Sequence, residues 1–182
     1  MKSNSALVAH GTRTASCWVI AWGNPHLGDG GVGACVAGRL KEQLGLNGSV
    51  SIVCKQYLDM ALLQAVQMAD HILFVDARHD PSDETIHWSV VEPNLNGWAM
   101  GSQHWDPAAF LGLLNILYQR QPSAWLVSVP GNRCDAGGRR PAERRTAEKA
   151  AVQILAWLSI HHLIPLVGLT APPAGCLCKE SP

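Results

Sequence analysis

Four short apolar runs constrain this chain more than any other feature: CWVIA (Cys17–Ala21), VSIVC (Val50–Cys54), ILFVD (Ile72–Asp76) and AWLVSV (Ala124–Val129). Each is short, apolar and rich in β-branched or aromatic residues, as in a strand buried within a sheet. Between them the apolar residues recur at helical spacing. One such segment runs from Val32 to Leu44 and is stopped by Gly45 and Asn47-Gly48. Asp59 caps MALLQAVQMA, read as a helix of about ten residues. Asp106 and Pro107 open a helix to about Tyr118, and Pro141–Leu158 is a long closing helix. ETIHWSVVEP has β-branched alternation and predicts a further strand, Thr85–Val91, at an edge. Strands alternating with helices over short links require a mostly parallel sheet covered on both faces. The expected fold is therefore a three-layer α/β/α sandwich with about five strands.

A chain of 182 residues, 47% hydrophobic, suits one domain with a buried core. Its expected limits are 17–165, preceded by a polar extension over 1–16 and followed by a Pro-, Gly- and Cys-containing tail over 166–182. Lys plus Arg equals Asp plus Glu at 14 each, which argues against a broad nucleic-acid or membrane-surface footprint. No apolar run reaches the ~18 residues of a membrane span, and MKSNSALVAHGTRTAS lacks the apolar centre of a secretory signal. A cytoplasmic monomer is expected, with Cys17, Cys35, Cys54, Cys134, Cys176 and Cys178 reduced. Cys176-x-Cys178 has no second cysteine pair to complete a zinc site.

The segment WGNPHLGDGGVG (Trp22–Gly33) links the first strand to the first helix. Within it GDGGVG matches the G-x-G-x-x-G of dinucleotide-binding folds. That fingerprint needs its first glycine directly after the strand, so that the helix amino end faces a pyrophosphate. Here WGNPH intervenes. Asp29 would also repel the phosphates, and strand two runs into Lys55 and Gln56 instead of a ribose-binding acid. A nucleotide-binding, Rossmann-like domain is thus a lesser alternative. Gly-Asn-Pro after a first strand is also similar to peptidyl-tRNA hydrolases, but their Thr-Arg-His-Asn continuation and a basic face are missing.

VIAWGNPHLGDGGVGACVAGRL resembles the opening of the nickel–iron hydrogenase maturation endopeptidases, with its strand, Gly-Asn, acidic loop, Gly and helix. ADHILFVDA (Ala69–Ala77) is similar to their third strand with its acid. SQHWDPAAFLGLLNILYQRQPSAWLVSVPG (Ser102–Gly131) resembles their histidine loop, helix and last strand. The likeness spans about Trp18 to Leu158, with its elements in order.

The resemblance implies removal of a carboxyl-terminal peptide from a hydrogenase large-subunit precursor once nickel has been inserted. It also implies a metal-contacting and catalytic trio of a first-loop acid, an acid ending strand three and a later loop histidine, of which the second and third fall on Asp76 and His104, with Asp29 taken as a substitute for the first. Two carboxylates and an imidazole suit nickel carried by the substrate, or zinc in vitro. Such an ion polarises the scissile carbonyl or activates water. In most of the family the first loop carries two neighbouring acids and the second is the ligand. That position is Gly30 here. Asp29 swinging in on flanking glycines, His26 or His79 filling the gap, and a weakened site are the three accounts of it. The last leads to the principal alternative, a non-catalytic binding protein or chaperone for the immature subunit.

Each residue also has a plainer reading. Asp76 can cap a turn, His104 and His79 can be solvated loop residues, and Asn24 can stabilise its own turn. Arg139, Arg140, Arg144 and Arg145 form either a solvated basic face or a docking edge for an acidic segment of the partner. There is no G-x-S-x-G elbow and no H-E-x-x-H, so a peptidase built on this chain receives its metal with its substrate.

Overall fold

The computed structural model describes residues 16–22, 31–45, 48–78, 83–95, 105–131 and 141–165. The elements run β1 (Cys17–Trp22), α1 (Gly31–Leu44), β2 (Val50–Lys55), α2 (Met60–Ala65), β3 (His71–Arg78), β4 (His87–Val90), α3 (Pro107–Tyr118), β5 (Ser123–Pro130) and α4 (Pro141–Ile160). They form one five-stranded sheet in the order β2-β1-β3-β5-β4. Strands β2, β1, β3 and β5 are parallel, and β4 is the antiparallel edge.

Two cores flank this sheet, as strand geometry requires when successive side chains face opposite ways. On one face Val19, Ala21, Leu73, Val75 and Val127 pack against Val36 and Leu40 of α1 and Ile154 and Leu158 of α4. Arg39 of α1 joins Glu148 of α4 at 2.9 Å across that layer. On the other face Ile20, Ile72 and Phe74 meet Leu62 and Leu63 of α2 and Phe110 and Leu114 of α3. The expected three-layer α/β/α sandwich is the observed fold.

Local chemistry sets the boundaries. Gly45 takes φ +54°, and its N–H bonds the Lys41 carbonyl to end α1. Asp59 and Asp106 cap α2 and α3, each accepting a backbone N–H at 2.7 Å, from Leu62 and Ala109 respectively. Pro107 occupies the first turn of α3, where a missing N–H costs nothing. Two expectations need correction. Helix α2 ends at Ala65, with Val66 at its cap, because the Ala69 N–H bonds the Val66 carbonyl in a turn that returns the chain to the sheet. Strand β3 does not end on Asp76 but continues to Arg78, because β5 keeps pairing with it through Ala77↔Val129 and Arg78↔Pro130. The proposed extension and tail lie outside the described residues, except Ser16, whose carbonyl accepts the N–H groups of Asp70 and His71.

Candidate functional site

The chain leaves β1 for β2 on one side and later places β3 on the other, so strand order reverses at β1. Ligands of open parallel sheets gather in the crevice outside the carboxyl ends of the strands at such a point. Helix α1 closes one side of this crevice. A Cβ at Gly33 would stand 3.6 Å from the Trp22 carbonyl and 3.7 Å from that of Val75, so the first turn of α1 packs directly on the ends of β1 and β3.

Asp76 follows Val75 at this rim. Pairing between β1 and β3 stops at Ala21↔Val75, while Asp76 still pairs with Ser128 of β5. The acid therefore sits where β3 parts from β1. By alternation its side chain is on the face of Ile72 and Phe74, the α2 and α3 side. Burial pushes its carboxyl up to about 6, partly opposed by a backbone hydrogen bond from Ala77. A half-buried acid with that affinity for protons is ready to exchange a proton or to be neutralised by a cation.

The register draws a row across the rim. Trp22 pairs with Lys55 of β2, and Asp76 is the residue one beyond the partner of Ala21. Lys55, Trp22, Asp76 and Ser128 are thus successive rungs on one face. Rings continue from this row into the helical layer: Trp22–Phe74 at 5.7 Å, Phe74–Phe110 at 5.9 Å and Phe110–Trp105 at 6.4 Å between centroids. Trp105 precedes the Asp106 cap, so capping and ring packing together fix the entry of α3. His104 is the residue before Trp105 in sequence.

Beyond the row, at the carboxyl end of β2, lies a cavity of about 560 Å³. Its walls come from the β2–α2 link, with Lys55, Tyr57, Leu58 and Met60, and from Trp105 across the face. Sequence reasoning missed this feature. Its one linear sign is an aromatic residue close before each helix cap, Tyr57 before Asp59 and Trp105 before Asp106.

A second polar cluster brackets residues 79–82. Asp83 accepts from the Thr85 N–H at 2.8 Å and lies 2.7 Å from His87 Nε2 and 3.1 Å from Arg78 Nη2. The Thr85 hydrogen bonds, with His87 and Arg78, hold its carboxyl well below the usual range. This is an anchor between the end of β3 and the start of β4.

Of the predicted trio only Asp76 lies among the described residues; Asp29 and His104 lie outside them, as do Gly30, Asn24, His26 and His79. Among the described residues no group of three His, Cys, Asp or Glu side chains could hold a metal ion. Arg144 and Arg145 are exposed on the first turns of α4, while Arg139 and Arg140 lie outside the described residues. Cys17 is buried, Cys35 half-buried and Cys54 exposed, all three as free thiols; Cys134, Cys176 and Cys178 lie outside the described residues. No described helix is long and apolar enough to cross a membrane.

No family model and no curated protein sequence matches the chain. Solved structures do. The hydrogenase maturating endopeptidase HybD from Escherichia coli is 24% identical, covers 80% of this chain and 93% of its own, and superposes with a TM-score of 0.65. An endopeptidase from Escherichia coli solved in solution is 22% identical, with coverage of 80% and 93% and a TM-score of 0.63. The NiFe hydrogenase maturation protease HycI from Thermococcus kodakarensis is 21% identical, with coverage of 81% and 95% and a TM-score of 0.60. The chain has the fold of the hydrogenase maturation endopeptidases, with Asp76 at the strand-order reversal of its sheet.

Proposed function

We propose that this chain is an endopeptidase that removes the carboxyl-terminal peptide of a nickel–iron hydrogenase large-subunit precursor after nickel insertion. The observation that carries the reading is Asp76, a half-buried carboxyl pushed up to about 6 at the crevice where ligands of such sheets bind. The shared fold and the sequence likeness around Asp29, Asp76 and His104 support it. In this reading Asp76 and His104 grip the nickel carried by the precursor, with Asp29 as third group. Burial favours it further, since an acid held out of water gains more from a cation than one fully hydrated. The ion then polarises the scissile carbonyl toward attack by water. The reaction is a cytoplasmic one, and the chain acts as a monomer on its protein substrate.

Gly30 favours a second reading, a protein of the same fold that binds the immature subunit without cutting it. A glycine supplies no carboxylate where the resemblance places a ligand. Cleavage assays with nickel-loaded and nickel-free precursor, using this chain, Asp76→Ala and Gly30→Glu, separate the two. Nickel-dependent cutting lost on Asp76→Ala is the expected result. Binding without cutting, with activity appearing in Gly30→Glu, would establish the second reading instead.

A further inference from the structure

The cavity at the end of β2 is outside the trio yet on the same row and face as Asp76. Two rungs separate Asp76 on β3 from Lys55 on β2, with Trp22 between them. Adjacent strands lie ~4.8 Å apart, so the two positions are ~10 Å from each other across the rim. An extended chain advances ~3.3 Å per residue and covers that span in about three residues. A peptide whose scissile bond sits at Asp76 and which crosses the strand ends over Trp22 therefore brings its third neighbouring residue to the cavity.

The walls suit an apolar occupant. Tyr57 and Met60 are 45% and 52% exposed, and both line the same space as Trp105. Leu58, 2% exposed, forms part of the lining while anchored in the core below. Lys55, Gln56 and Asp59 supply polar groups to the same lining, with Lys55 and Asp59 approaching each other at 4.0 Å. A volume of about 560 Å³ is within the range of sites that bury a compact ligand. Trp105 belongs both to this wall and to the entry of α3, where it packs on Phe110.

Resting on the endopeptidase reading, we infer that the cavity lined by Tyr57, Leu58, Met60 and Trp105 is a specificity subsite. It takes a bulky apolar side chain of the precursor about three residues from the scissile bond. Met60, exposed on the cavity wall, is the position for a reporter thiol in a Met60→Cys variant, whereas Cys54 follows Ile52 by alternation onto the opposite face of β2 and serves as the reference.

The test uses the full chain and the nickel-loaded large-subunit precursor of the source organism's nickel–iron hydrogenase. A series of precursors replaces each large apolar residue within about four positions of the cut by Ala. In the Met60→Cys protein, alkylation at that position by iodoacetamide is followed by mass spectrometry, with exposed Cys54 as internal reference, and cleavage is measured in the same samples. At ten times its Kd the parent precursor is expected to slow alkylation in the Met60→Cys protein by about tenfold at that position, and to leave Cys54 within about twofold. One replacement, about three residues from the cut, removes that protection and raises KM about tenfold while kcat stays within about twofold. In the Tyr57→Ala/Met60→Ala variant, both positions being exposed, KM is already raised and the same replacement adds little.

Cleavage with no protection of the Met60→Cys position overturns the subsite and leaves the endopeptidase intact. Protection that survives every replacement also overturns it, since the precursor then covers the cavity without filling it. Replacement-sensitive protection without cleavage upholds the subsite and removes the endopeptidase reading. Neither protection nor cleavage rejects both.

Discussion

Replacing Asp76 by Asn should stabilise this protein at neutral pH, and only there. The carboxyl is half-buried, and its rise from the ordinary 3.8 to about 6 means that the folded chain holds a proton more tightly than the unfolded one. Between those two values the native state is the more protonated. Stability contributed by this group is therefore fully present below pH 3.8, falls as pH rises through the window, and stays lost above about 6. At ~1.36 kcal/mol per unit, the shift corresponds to roughly 3 kcal/mol. Partial exposure screens the charge and lowers the expected effect to about 1–2 kcal/mol. Asn carries no charge at any pH and can still accept the Ala77 N–H through Oδ1.

The assay is thermal unfolding of both proteins in metal-free buffer from pH 3.5 to 7.5. Their melting temperatures should nearly coincide at the acid end. They should separate by about 2–8 °C at pH 7.5, with Asp76→Asn the more stable, since 1 kcal/mol moves Tm by about 2–4 °C at this size. Other carboxyl groups titrate in both proteins and cancel in the difference. Added Ni²⁺ should narrow the gap if the ion neutralises the Asp76 carboxylate, because only the parent gains from it. A difference independent of pH, or a variant less stable at pH 7.5, would refute the account of Asp76 as an acid raised by burial. It would mean instead that native partners favour the charged form.

Two further outcomes follow from the same structure. Asp106→Ala removes the α3 cap and should cost about 1 kcal/mol, with cleavage reduced through the adjoining Trp105 and His104; Asp106→Ser should restore both, and unchanged Tm would refute the capping role. In native protein at pH 8 an alkylating reagent should modify exposed Cys54 readily. It should reach Cys17, which is 1% exposed and pushed up to about 12 by burial, only as fast as the core opens; equal rates at both thiols would contradict the packing of β1.

What could be read along the chain was local. Apolar runs, helix periodicity and the Asp59 and Asp106 caps each depend on residues a few positions apart, and they place nearly every element. The two misjudged boundaries arise where distant partners decide. Asp76 reads as a strand terminus because charge follows an apolar run, yet Ser128, Val129 and Pro130 of β5 keep β3 extended beyond it. MALLQAVQMA keeps a helical pattern past Ala65, yet the sheet draws the chain back in a turn at Val66–Ala69.

The cavity was illegible for the same physical reason, carried further. Tyr57 and Trp105 line one cavity only because β2 and β3 flank β1, and because α2 and α3 cover the same face. Neither residue has a spacing that signals the other. Yet the row that relates them to Asp76 is a direct consequence of parallel pairing, since the register fixes which residues of β2, β1 and β3 end level with one another. One-residue slippage of β2 against β1 would turn Val50 and Ile52 away from the core beneath α1 and α4 and put Ser51 and Val53 on that face. The apolar burial lost from Val50 and Ile52 holds the register. The distance between the candidate catalytic acid and the candidate subsite is therefore set by the rigid sheet, not by its loops. A substrate chain crossing that rim meets both at a fixed interval of about three residues.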